Sequence, residues 1–100
     1  IMNMQKLMQE AQKMQAQLQK TQKEIESSTY EGNSSLVHVV LNGKKEVVSI
    51  NINIEEDLSS LDKEMLEDMI MLAFNDACRK AEADKEVKLG KYGQGLSGLM

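Results

Sequence analysis

The first quarter of the chain has the polar and apolar pattern of a long amphipathic helix. Apolar or weakly polar residues recur between Met4 and Ile25 at alternating intervals of three and four, which is the spacing of a heptad seam. We expect a helix from Met2 to Ser28, about 40 Å long at 1.5 Å per residue. A small domain cannot cover such a length, so the helix should project and pair with a partner. The seam residues expected at a dimer interface are Met4, Leu7, Met14 and Leu18.

The middle of the chain shows the alternation that is typical of β-strands. One β-type run extends from Leu36 to Leu41 and a second from Lys45 to Ile54, with Asn42-Gly43 between them. Asn-Gly between two such runs favours a type I′ hairpin, because that turn needs positive φ at both central residues. Residues 29–31 add a short edge strand before a turn at residues 32–34. The sequence therefore predicts a three-stranded antiparallel sheet.

The second β-type run has two distinct faces. Val48, Ile50 and Ile52 point to one side, whereas Ser49 and Asn51 point to the other. One face of an antiparallel sheet is commonly packed on the core while the other is solvated. We expect Ile50 and Ile52 to be buried on the face that meets the last helix.

The remaining apolar stripe predicts a second long helix, from Leu61 to Lys88, with Ser59 or Ser60 as its N-cap. Its central stripe comprises Leu66, Ile70, Ala73, Ala77 and Ala81. Further apolar residues widen the stripe on both sides, beyond what one small sheet covers, so a partner chain should cover the surplus. The residues of this helix expected at the dimer interface are Met69, Leu72 and Phe74.

Length, net charge, cysteine content and hydropathy limit the classes of protein to which this chain can belong. A length of one hundred residues predicts a single domain, and the order of helix, three strands and helix makes its fold class α+β. The net charge of −4 argues against a strongly basic nucleic-acid-binding protein. It is a local basic patch that contacts DNA, however, so the net charge alone does not exclude DNA binding. Cys78 is the only cysteine, which favours a reducing, cytoplasmic location. The sequence shows no run of 18 apolar residues and no signal peptide, so we expect no membrane association.

Three segments together resemble one known family. The stretch from Lys63 to Ala77 closely resembles the signature helix of the YbaB/EbfC family. The Gln/Met-rich opening from Met4 to Met14 is similar to that family's first helix, and Leu36 to Gly43 is similar to its central hairpin. The tail from Gly90 to Leu96 is similar to the tails of some members. The resemblance covers nearly the whole chain.

This resemblance implies an intertwined homodimer whose long helices project like the arms of tweezers. It also implies a bacterial protein of the cytoplasm and nucleoid that binds double-stranded DNA, with roles in nucleoid organisation, gene regulation or repair. On this basis we expect residues 1–100 to form one domain, with a projecting helix at 2–28 and a dimer core at 29–89. Residues 90–100 should form a mobile, glycine-rich tail.

Lysines along the first helix are candidate DNA contacts. Lys6, Lys13 and Lys20 repeat every seven residues and occupy one heptad position, with Lys23 nearby. They form either a row that tracks phosphates or a solvated coiled-coil face balanced by glutamates. Further candidates at the end of the last helix are Lys85, Lys88 and Lys91, which could equally compensate the helix dipole.

The sequence does not contain the residue patterns of an enzyme. His38 has no evident ligand partners for a metal and is expected to be structural, as is Cys78 as a small buried hydrophobe. No phosphate-binding glycine loop, nucleophile elbow or Ser/His/Asp set can be assembled. We therefore expect no catalytic residues, no metal, no cofactor and no small-molecule substrate.

Two functional classes stay open at this point. The first is a dimeric architectural protein that binds DNA. The second is a dimeric protein–protein interaction module that never contacts DNA, which the acidic composition favours. Arg79 is the only arginine, and arginine is the usual reader of bases, so a sharply sequence-specific reader is disfavoured.

Overall fold

The computed structural model describes residues 3–54 and 62–92, and it has the predicted α+β architecture. Within these residues the elements follow the expected order of helix, three strands and helix. Ser59, Ser60 and residues 93–100 of the expected mobile tail lie outside the described residues. The elements are α1 (Met4–Ser27), β1 (Thr29–Asn33), β2 (Val37–Asn42), β3 (Val47–Ile52) and α2 (Lys63–Gly90).

The three strands form one antiparallel sheet in the order β1-β2-β3. In the register of the central strand, Tyr30 of β1 pairs with Leu41, whereas Val39 pairs with Ile50 of β3. The pairing of β2 with β3 is irregular at Leu41, which lies opposite Val47. A bulge of this kind increases local twist and redirects side chains at the sheet edge.

The core lies between the sheet and α2. Ala73 and Ala77 of α2 are fully buried, as the predicted stripe requires, and they pack with Val37, Val39 and Leu41 of β2. Small residues at this contact let the helix backbone approach the sheet closely. The partly buried side chains around this cluster are Leu66, Met69, Ile70, Phe74 and Cys78.

The expected burial of β3 is wrong for the single chain. Ile50 and Ile52 are 49% and 36% exposed. Their partners across the strands are Val39 and Val37, which are buried, so the assignment to the core face holds. The difference arises because α2 lies across β1 and β2 and, within the residues described, does not contact β3.

The first turn lies later than the sequence suggests. Gly32 and Asn33 belong to β1, and the turn is closed by reciprocal backbone hydrogen bonds between Ser34 and Val37. A Cβ at Gly32 would overlap the backbone carbonyl oxygen of Ala73. Glycine is therefore needed at this position for the close passage of α2 and not for a turn.

The β2–β3 connection also differs from the expected two-residue hairpin. Lys45, with φ of 63°, adopts the left-handed conformation. The side-chain oxygen of Asn42 accepts hydrogen bonds from the backbone N–H groups of Lys44 and Glu46, which closes the longer loop. A Cβ at Gly43 would overlap the carbonyl group of Ile25 in α1, so this glycine also permits a close approach.

Both helix starts are capped by side chains. Asn3 accepts a hydrogen bond from the backbone N–H of Gln5, and Asp62 accepts one from Glu64. Asp62 therefore replaces the serines expected to cap α2, since its carboxylate suits the positive end of the helix. The helix ends at Gly90, two residues later than predicted.

Candidate nucleic-acid interface

The free part of α1 is an arm, defined here as residues 4–20. Its side chains are exposed apart from Leu18, which is half-buried. The helix contacts the body only near its end, where Thr21 and Ile25 are buried. The protein is consequently elongated, with principal extents of 75 × 19 × 14 Å. The projecting helix expected from the sequence is present.

The arm carries the predicted lysine row. Lys6, Lys13 and Lys20 are all exposed, as is Lys23 beyond the arm. On an α-helix a seven-residue repeat drifts by only about 20° per heptad, so the three lysines follow one face at intervals of roughly 10 Å. None of the four lysines makes an ion pair with another of the described residues. Their charges are available to an external partner.

The end of α2 lies beside the root of the arm in the same chain. Lys91 and Tyr92 line an open groove together with Lys20, Thr21 and Glu24. The hydroxyl groups of Thr21 and Tyr92 lie 3.0 Å apart and form a hydrogen bond. The arrangement brings one lysine of the arm row close to one lysine from the end of α2.

A second groove lies at the same root. Lys85 of α2 and Lys44 of the β2–β3 loop line it with Gln22 and Glu26 of α1. Lys44 was not singled out from the sequence, because nothing in its local pattern indicates that the loop reaches the arm. The close approach of Gly43 to Ile25 is what places it there.

Lys88 differs from the other candidate lysines. Its ammonium group lies 2.9 Å from the carboxylate of Asp84, and a hydrogen bond to that group raises the pKa of Lys88. Asp84 also accepts a hydrogen bond from the hydroxyl of buried Tyr30. The bonds from Tyr30 and Lys88 lower the pKa of Asp84, whereas burial is the main cause of the raised pKa of Tyr30. Lys88 therefore takes part, through Asp84, in the contact between β1 and α2.

Acidic side chains predominate at the start of α2, whereas acids and lysines alternate near its end. The acids near its start, Glu64, Glu67 and Asp68, lie about 25 Å or more from Lys85 by helix rise. Lys85 and Lys91 lie at the opposite end, at the arm root. The arm itself carries three lysines and one glutamate, so the net charge of −4 does not describe the surface of the arm.

The lone histidine and cysteine have structural surroundings. His38 Nδ1 lies 2.6 Å from the side-chain oxygen of Asn33, and His38 Nε2 lies 3.4 Å from a carboxylate oxygen of Glu31. Cys78 is half-buried against the core. Across residues 3–54 and 62–92, no group of three His, Cys, Asp or Glu side chains is arranged to hold a metal ion.

The residues predicted at a dimer interface fall into two groups. Met4, Leu7 and Met14 on the arm and Leu72 on α2 are 40–70% exposed. Leu18, Met69 and Phe74 are half-buried. The last two pack partly against their own core and leave only part of their surface for a partner.

Comparison with known proteins identifies the family. The family model described as the YbaB/EbfC DNA-binding family matches residues 1–96. The chain belongs to this DNA-binding family. A nucleoid-associated protein of Clostridium botulinum is 48% identical over 98 residues, covering 96% of this chain and 86% of that protein. A nucleoid-associated protein of Lactococcus lactis is 43% identical over 98 residues, covering 96% and 98%.

A solved structure supports the fold of this family member. The crystal structure of an uncharacterized protein from Helicobacter pylori matches with a TM-score of 0.72. The match covers 93% of this chain and all of that one, at 23% sequence identity. The α+β arrangement is therefore shared at low sequence identity. Neither helix of the described residues is apolar enough to cross a membrane.

Proposed function

We propose that this protein is a nucleoid-associated protein of the bacterial cytoplasm that grips duplex DNA as a homodimer, mainly through phosphate contacts. Its roles would be in nucleoid organisation, gene regulation or repair. The observation that carries the proposal is the exposed lysine row on a projecting arm, which forms no ion pair with other described residues. At the arm root, Lys20 of this row shares a groove with Lys91. Lys44 and Lys85 line a second groove at the same root.

Phosphate recognition is favoured over base recognition by the chemistry of the basic groups. Lysine is a flexible point charge, whereas arginine presents the planar fork that reads guanine. The side chain of Arg79 is paired with Asp76 at 3.4 Å and lies on α2, outside the arm. Contacts from lysines to phosphates position a protein on DNA without reading its sequence.

Dimerisation is favoured by the uncovered apolar face of β3. Val47, Val48 and Ile50 are about half exposed, and α2 carries exposed Met65 and Leu72. A second copy of the chain offers the matching apolar surface, so each α2 would cover part of the other chain's sheet. Two arms would then project from one body, as a two-sided grip on DNA requires.

Salt dependence of DNA binding tests the phosphate contacts. Two arms with a few lysines each imply that log affinity falls with log salt with a slope of about −4 to −6, at −0.9 per neutralised phosphate. Changing Lys13 to Gln alters both arms of a dimer and should reduce the slope by up to about 2 while weakening all sequences alike. Lys63→Gln is the matched control, since Lys63 lies at the far end of α2 and is 90% exposed.

The measurement is fluorescence anisotropy of labelled duplexes of two unrelated sequences, titrated at several salt concentrations. An unchanged slope in Lys13→Gln, with a binding wild type, would show that the row is only a solvated face. Absence of wild-type binding at low salt would favour the second candidate, a homodimeric interaction module for other proteins. The acidic net charge is the observation that favours that alternative.

A further inference from the structure

The arm is attached to the body at two points one helical turn apart. At the first, the backbone of Ile25 packs against Gly43 of the β2–β3 loop. At the second, Thr21 forms a hydroxyl–hydroxyl hydrogen bond with Tyr92, just beyond the end of α2. One attachment point would allow the helix to pivot, whereas two determine its direction.

The length of the arm amplifies any change at its root. From Thr21 to Met4 the helix extends about 25 Å at 1.5 Å per residue. A tilt of about 10° at the root therefore moves the tip by about 4 Å. That displacement exceeds the roughly 3.4 Å rise per nucleotide along the DNA helix axis. The lysines of the arm keep their register with phosphates only if the root angle is held.

Tyr92 is itself held in place. Its backbone N–H donates to the carbonyl oxygen of Leu89 at 3.0 Å, and Leu89 is buried. Thr21 is only 7% exposed, and its hydroxyl has Tyr92 as its hydrogen-bond partner. The ammonium group of Lys91 lies 5.5 Å from the centroid of the Tyr92 ring, a cation–π distance. The same ring thus orients Lys91 in the groove that Lys20 lines.

We infer that Tyr92 is a positioning residue for DNA binding, which sets the angle of the arm through Thr21 and places Lys91 beside Lys20. The inference rests on the proposed function, because it assigns Tyr92 a part in the same DNA grip. Tyr92 would contact no DNA through its hydroxyl. It would act by keeping two groups of lysines in one arrangement.

The test measures the arm directly. Spin labels on Gln9→Cys and Glu86→Cys, in a Cys78→Ala background, report the distance between arm and body by pulsed electron resonance. The labelled protein is mixed with excess unlabelled protein, so that labelled pairs in one dimer stay rare. Tyr92→Phe and Thr21→Val each remove one hydroxyl with little change of shape, and each should broaden the distance distribution. The double variant should broaden it no further, since both hydroxyls serve one bond.

DNA affinity gives the second readout. Loss of one hydrogen bond should weaken binding about fivefold at fixed salt in either single variant. Tyr30→Phe is the structural control, because it removes a hydroxyl bonded to Asp84 within the body and should leave the distance distribution unchanged.

The outcomes separate this inference from the proposed function. An unchanged distribution in Tyr92→Phe would overturn the inference. A broadened distribution with unchanged DNA affinity would also overturn it, because the arm angle would then not matter for binding. A broadened distribution in a protein whose wild type binds no DNA would leave Tyr92 as an arm anchor and overturn the proposed function instead.

Discussion

Strands β2 and β3 carry similar apolar residues and are neighbours in one sheet, yet one is buried and the other is exposed. Val37 and Val39 of β2 are at most 2% exposed, whereas Ile52 and Ile50, their direct partners on the same face, are 36% and 49% exposed. Both strands are rich in β-branched residues, which are common in strands. The difference lies in the path of α2, which covers β1 and β2 and leaves β3 bare.

This contrast shows that the burial of a strand depends on which elements cover it and not on its own sequence alone. An apolar strand face at a sheet edge is an aggregation hazard unless another element covers it. Proteins commonly blunt such edges with charges or proline, and β3 contains neither. The core of β2 should therefore stabilise the single chain, whereas the face of β3 should stabilise its association.

The largest effect is expected from the covered strand. Leu41→Ala should lower the free energy of unfolding by about 2–5 kcal/mol, because Leu41 is fully buried and a cavity would remain. Denaturant unfolding followed by circular dichroism measures this loss. At a protein concentration low enough to keep the chain monomeric, Ile50→Ala should lose far less. Equal losses in the two variants would remove the distinction between the strands.

The sequence predicted this architecture well because its periodicity records which side of each element is apolar. The alternation of β3 placed Ile50 and Ile52 on the correct face, and the stripe of α2 identified Ala73 and Ala77 as core. The periodicity of the sequence does not indicate which strands a helix packs against. The expected burial of β3 was therefore wrong for one chain.

Close approaches between distant elements were not predictable. Gly32 and Gly43 were assigned to turns, since glycine most often marks a turn in sequence. Gly43 does lie in the turn after β2, whereas Gly32 lies in β1. Each also allows a helix backbone to pass closely, and the partner residues Ala73 and Ile25 are distant in sequence. The bond between Thr21 and Tyr92 spans 71 positions and has no local signature either. The candidate lysines were predicted, but the groove that Lys20 and Lys91 share was not.

The second effect concerns the uncovered strand. Wild type at micromolar concentration should sediment with twice the 11.2 kDa chain mass. Ile50→Asp should weaken dimerisation by at least about 100-fold, because it would bury an unpaired charge in each half of the interface. Ser49→Asp is the matched control, since Ser49 lies beside Ile50 on the opposite face of the strand.

Sedimentation equilibrium of the two variants tests whether this face of β3 forms the dimer interface. A monomeric Ile50→Asp beside a dimeric Ser49→Asp would show that this face of β3 is the interface. A dimeric Ile50→Asp, or a wild type that stays monomeric at micromolar concentration, would show that β3 is not where the chains meet.

The smallest expected effect is a pH dependence of stability. The contact of β1 with α2 should show it, whereas the face of β3 should not. The strand β3 has no ionisable side chain, whereas the contact of β1 with α2 contains Asp84, whose pKa is lowered mainly by the hydrogen bond from Tyr30. A carboxylate with a lowered pKa stabilises the folded state above its ordinary pKa near 4 and loses that contribution as the pH falls through the folded value. Asp84→Asn should therefore cost about 1 kcal/mol of unfolding free energy at pH 7. The deficit should shrink as the pH falls below about 4.

Urea unfolding of Asp84→Asn at pH 7 and at pH 3 measures this change. The amide at position 84 still accepts a hydrogen bond from Tyr30, so the deficit at pH 7 reports mainly the lost charge beside Lys88. Asp68→Asn, at an exposed position of α2, is the control and should show little deficit at either pH. The dimer dissociation constant at pH 7 should be the same in Asp84→Asn and wild type, since the β3 face carries no charge that senses the change. A deficit that persists undiminished at pH 3 would mean that Asp84 acts through packing, and weaker dimerisation would mean that the two regions are coupled.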